Sequence, residues 1–265
     1  MIAEIIDRPQ AKKECRELLR SAQVDPRAFT AFYLGLSLIL GLLDSLTGGE
    51  VYPSGPLAIF VSVLTGLMSL VLSVGFISYC IAVRRGERAE FLTLFDGFSF
   101  VGKIILLYIV EFFFVLLWAF LLIVPGIIAA YRYRFAIYNL CENSDIGVME
   151  ALAMSKQQTL GYKSQLFMLD LSYLGWSILA QLPSLYFYYQ ALIPALEGNA
   201  SAQSMLSMPV QTLICGVWLL AVSIFYLPGY QCVELSYFET ARRTSGVGAD
   251  TDSGGYGDRS DGSEF

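Results

Sequence analysis

The chain has 265 residues, 55% of them hydrophobic and 15% charged, with no histidine and a net charge of −6. Soluble domains carry about 25% charged residues, so this balance and a mean hydropathy of +0.58 point to a bilayer as the solvent. They exclude a His-ligated metal site, a Ser-His-Asp triad and a basic nucleic-acid binder.

The N-terminal stretch 1–28 predicts a cytoplasmic amphipathic helix. Cys15, Leu18, Leu19 and Ala22 form an apolar stripe against Lys12, Lys13, Arg16 and Arg20. Glu14 and Glu17 nearly balance these bases, which implies only modest affinity for anionic lipid. Apolar runs then predict spans at about 29–46 and 59–83, the second stopped by the charges of Arg84, Arg85, Glu87 and Arg88. In that second span Ser62, Thr65, Gly66, Ser69 and Ser73 recur at small-residue spacing, which predicts close approach of a partner helix.

The block from Phe98 to Leu140 holds enough apolar residues for two crossings, yet only Pro125-Gly126 interrupts it. It crosses twice, or it is one kinked or re-entrant helix. Charge parity favours two crossings. Residues 44–58 and 190–208 contain neither Lys nor Arg, and only a double crossing puts both on the outside. Spans near 98–118 and 123–140 follow, then 166–189 and 209–230. The fold expected is an all-α polytopic membrane bundle over 29–243, of about six spans, with both termini cytoplasmic. A Gly/Ser-rich acidic tail at 244–265 is too polar to fold alone. Five cysteines without a CxxC pattern read as reduced thiols. Between spans, 141–165 predicts a helix capped by Asp145, with Met149, Leu152 and Ala153 on its apolar face.

Ionisable residues inside spans carry the sharpest functional signal. Glu111, Asp170, Arg132 and Arg134 are the candidate intramembrane polar site, read either as an internal ion-pair network or as a cavity for a proton, an ion or a headgroup. Lys156 and Lys163 are candidate headgroup contacts. Pro125-Gly126 and Pro228-Gly229 are candidate helix breaks. No catalytic, metal or cofactor pattern is found.

The stretch Leu117-Trp118, Val124 to Ile128, Tyr131, Tyr133, Ala151-Leu152, Ser155-Lys156, Gly161 to Lys163 and Leu171 to Trp176 resembles the bacterial membrane family called domain of unknown function nine-seven-five. Leu94 to Phe98 and the late Pro228-Gly229-Tyr230 with Phe238 fit the same pattern, in outline over residues 8–243. The resemblance implies a polytopic protein, distantly similar to the membrane domain accompanying some glycerophosphodiester phosphodiesterases, with 117–176 as its constrained region. It implies no established activity. The expected role is that of a non-enzymatic plasma-membrane protein that organises or accommodates lipids or a partner membrane protein, or assembles with itself. The alternative is a small-molecule or ion-coupled transporter using Glu111 and Asp170.

Overall fold

The computed structural model describes residues 4–47, 55–196 and 207–248. Most of the acidic tail and the centres of both Lys/Arg-free loops lie outside them. The described residues form nine α-helices: α1 (Arg8–Ser21), α2 (Pro26–Leu46), α3 (Pro56–Arg85), α4 (Val101–Leu121), α5 (Ile123–Tyr133), α6 (Ala136–Glu142), α7 (Val148–Gln158), α8 (Lys163–Leu196) and α9 (Ser207–Ser245). A 3-10 segment, Phe91–Phe100, leads into α4. Four stretches are long and apolar enough to cross a membrane: Pro26–Leu46, Pro56–Arg85, Phe91–Phe120 and Met208–Ser245. Phe112, Phe113 and Leu117 on α4 and Phe225 on α9 face outward. Apolar faces of this extent are stable against lipid tails and costly against water.

The two ends of the bundle differ in charge. At one end, Arg84 meets Glu239 at 2.5 Å, and Glu142 is shared by Arg85 (3.0 Å) and Arg242. Arg243 adds Glu4 at 3.0 Å. At the other end the Ser62 hydroxyl donates to Asp44 at 2.5 Å, and Thr212 donates to Ser45 at 3.3 Å. Hydroxyls there replace ion pairs in joining α2 to α3 and α9.

The block at 98–140 is a helical hairpin. Leu122 is extended (φ −164°, ψ 146°) between α4 and α5. Beside it a Cβ on Gly126 would lie 2.8 Å from the Ala119 Cβ, so only glycine lets the arms touch. The hairpin closes at its far end, where the Lys103 ammonium donates to the carbonyls of Ser144 and Ile146 (3.2 Å to Ile146). Pro125 lies in the first turn of α5, where its missing N–H costs little.

The return arm is not one helix, as 123–140 predicted. It breaks at Arg134-Phe135 into α5 and α6. A break between helices frees backbone groups that must find partners once they are buried, as Phe135 is. Ser155 of α7 supplies them. Its hydroxyl accepts the Phe135 N–H at 3.1 Å and donates to the Arg132 carbonyl at 2.9 Å. The Thr159 hydroxyl reaches the same carbonyl at 3.2 Å. Ser155→Ala is therefore expected to destabilise the bundle by about 1–3 kcal/mol, the cost of leaving a buried N–H unpaired. Equilibrium unfolding in bicelles measures it, with the exposed Ser144→Ala as control.

Helix α7 is capped at Gly147 rather than Asp145 and buries Val148, Ala151, Leu152, Ser155 and Gln158, while Met149 is exposed. The apolar face begins one residue earlier than predicted because Ser155 and Gln158 are buried as bonded polar groups. Gln158 forms a reciprocal amide pair with Asn139 at 2.9 and 3.0 Å. Between α7 and α8, Gly161 adopts φ +86°, a conformation other residues resist. That turn buries Tyr162, whose hydroxyl accepts the Glu4 N–H at 3.1 Å and bonds Thr244 at 2.7 Å. Ser155, Gly161 and Tyr162 thus have structural duties in the stretch the family pattern singles out.

In the small-residue stripe of α3, Ser62 joins the helix to α2 through Asp44, while the other hydroxyls turn inward on their own helix. Thr65, Ser69 and Ser73 donate to carbonyls of their own helix, and a Cβ at Gly66 would meet open space. The close approach is at Gly75, where the backbone of Leu94 in the 3-10 segment crosses α3.

Candidate functional site

The break between α5 and α6 aims Arg134 at α8 and α9. Its guanidinium grips Asp170 of α8 in a two-point pair, Nη1 to Oδ2 at 2.6 Å and Nη2 to Oδ1 at 3.0 Å. Its Nε donates to Glu234 of α9 at 2.5 Å. Tyr131 and Tyr230 complete the shell, donating to Asp170 at 2.6 and 2.8 Å. Arg134 also bonds the Tyr230 hydroxyl. Fork-to-carboxylate geometry is the strongest form of such a pair and fixes the orientation of both groups. The side chain of Glu234 is 7% exposed and that of Asp170 30%, so the first is the buried anchor and the second faces the opening.

This cluster forms one wall of an open cleft of about 470 Å³. Glu111 and Tyr108 of α4 line the same cleft, with Tyr138 and Gln231. Glu111 has no hydrogen bond or ion pair among the described residues. The cleft therefore sets three carboxylates against one guanidinium.

Three of the four predicted intramembrane residues, Glu111, Asp170 and Arg134, come together here. Arg132 does not. Its carbonyl braces the helix break, and its guanidinium lies 6.0 Å from the Tyr133 ring. It approaches Lys163 closely enough for their charges to repel, while Lys156 is exposed on α7. The predicted headgroup contacts, Lys156 and Lys163, do not line this cleft. Pro228-Gly229 does not end its helix, because α9 continues to Ser245. That continuation carries Glu234, which the predicted span end at Tyr230 left outside. The available signal was the four-residue step from Tyr230 to Glu234 and on to Phe238, one helix face.

Residues 119–244 match the model of a family described as a protein of unknown function (DUF975). The match covers the hairpin turn, the Ser155 brace and every member of the Arg134 cluster. Glu111 lies outside it. No curated protein and no solved structure matches the chain.

Proposed function

We propose that this is a non-enzymatic multi-pass protein of a bacterial plasma membrane, with six spans and both termini cytoplasmic, that accommodates a lipid headgroup in the Glu111 cleft. The grouping of ion pairs at one end of the bundle supports that orientation, since Lys and Arg favour the cytoplasmic side. The return of the hairpin from Leu122 to Lys103 and the length of α8 support the span count.

One observation carries the lipid reading. Glu111 is a carboxylate without a partner, facing an ion cluster that is already one positive charge short. Carboxylates at this depth need a counter-charge or a proton. An ammonium-bearing headgroup supplies the charge, and the cleft volume is that of a ligand site.

The test is extraction in native nanodiscs followed by mass spectrometry of retained lipid. An aminophospholipid retained near one per chain, and lost in Glu111→Gln, is expected. Equal retention by the wild type and the variant refutes the reading. A second reading, ion-coupled transport, draws on the same unpartnered Glu111. Asp170, held by Arg134 and two tyrosines, is ill placed to exchange a proton, so Glu111 alone would couple. That reading predicts pH-dependent flux lost in Glu111→Gln and unaffected by lipid class.

A further inference from the structure

A second and larger cleft, of about 670 Å³, lies where α1 packs beside α8 and α9. Its rim is basic. Lys12, Arg16 and Arg20 follow one another at four-residue steps along one row of α1, and Arg27 joins them from the first turn of α2. Its wall is aromatic, with Trp176 of α8 stacked on Tyr226 of α9 at 6.2 Å.

Counting residues along α1 suggests near neutrality, but the fold separates the charges. Glu14 accepts from Gln10 at 2.9 Å, and neither Glu14 nor Glu17 lines the cleft. The one carboxylate there, Asp25, caps α2 by accepting the Arg27 N–H at 2.9 Å. None of the four cations forms an ion pair among the described residues. Two of them lean on aromatic rings instead: the Lys12 ammonium lies 4.3 Å from the Tyr173 centroid and the Arg27 guanidinium 5.8 Å from that of Phe225. The Lys12 ammonium also donates to the Ser172 hydroxyl at 3.0 Å, and burial, then the charge of Arg8, hold it below its ordinary range.

We propose that this cleft holds the phosphate of an anionic phospholipid, gripped by Arg16, Arg20 and Arg27, with acyl chains laid along Trp176 and Phe225. Guanidinium groups match phosphate oxygens two at a time. The source is lipid rather than free phosphate because Phe225 is 67% and Trp176 46% exposed, so the wall continues into the outward apolar surface. An anionic headgroup is required because a zwitterionic one brings its own cation to a site that already has four. This site shares no residue with the Glu111 cleft and takes the opposite charge.

The protein has three tryptophans, so Trp118→Phe with Trp218→Phe leaves Trp176 as the reporter in the cleft. The full-length chain in phosphatidylcholine vesicles is then titrated with brominated phosphatidylglycerol or brominated phosphatidylcholine. Each basic residue at an anionic surface contributes on the order of 1 kcal/mol, so three, partly screened, give about tenfold preference for the anionic lipid. Arg16→Gln with Arg20→Gln and Arg27→Gln is expected to bring the preference to parity, and Arg20→Gln alone to reduce it partway. Lys13→Gln, off the cleft, is expected to leave it intact, as is millimolar inorganic phosphate. Equal quenching by both lipids, a preference that survives the triple substitution, or displacement by inorganic phosphate would overturn the assignment.

Discussion

Arg134→Met is expected to destabilise the protein by about 3–5 kcal/mol, the cost of stranding buried carboxylates after their cation is removed. Arg134 is the sole cation of the cluster, gripping Asp170 at two points and Glu234 at a third. Without it, two carboxylates from α8 and α9 face each other in a medium that solvates neither. Because the loss arises from stranded charge, it is reversible by design. Adding Asp170→Asn and Glu234→Gln to Arg134→Met is expected to recover most of the stability, since the tyrosine hydroxyls still find amide partners. Arg134→Lys should fall between, because an ammonium cannot serve both carboxylates in the guanidinium's planar geometry. Steric-trapping measurements in bicelles report these differences. A loss under about 1 kcal/mol for Arg134→Met would show that water or counter-ions already neutralise the acids.

Gly75→Ala is expected to cost about 3 kcal/mol or more, at the upper end of overpacking penalties. A Cβ there would sit 2.0 Å from the Leu94 carbonyl oxygen and 2.6 Å from its Cα. These are backbone atoms, so no side chain can rotate away and the 3-10 segment must leave its groove on α3. Leu94 is fully buried at that crossing. Gly66→Ala is the internal comparison. Nothing lies within 4 Å of its Cβ position, and alanine favours the helix by nearly 1 kcal/mol, so a neutral or slightly stabilising effect is expected. Equal losses at both positions would contradict the observed packing.

These two glycines show what the sequence could and could not tell. Both sit in an apolar run, and the run itself was readable because span length is fixed by bilayer thickness. Which glycine meets another backbone depends on where residues 91–100 fold back, and no local pattern carries that. The break at Arg134 was hidden for the same reason. It contains neither proline nor glycine, and its stability comes from Ser155 on another helix. Pro228, the conspicuous signal, interrupts nothing, since proline removes one hydrogen bond and α9 absorbs the loss. Glu111, Asp170 and Arg134 were legible because charge in an apolar run is costly wherever it occurs. Glu234 was missed because α9 runs well past its apolar stretch, on to Ser245. On α1 the four-residue step places Lys12, Arg16 and Arg20 on one row along the cleft, from which Glu14 and Glu17 are absent, and net charge carries no such information.

The lipid reading of the Glu111 cleft is tested most directly by photo-crosslinking. An aminophospholipid with a diazirine beside its headgroup is incorporated with the full-length protein and activated, and the labelled peptides are mapped. The cleft predicts label on α4 around Tyr108 and Glu111 and on α5 around Tyr131, lost in Glu111→Gln while the fold persists. Label spread over the outward-facing Phe112, Phe113 and Phe120, unchanged by Glu111→Gln, would contradict it.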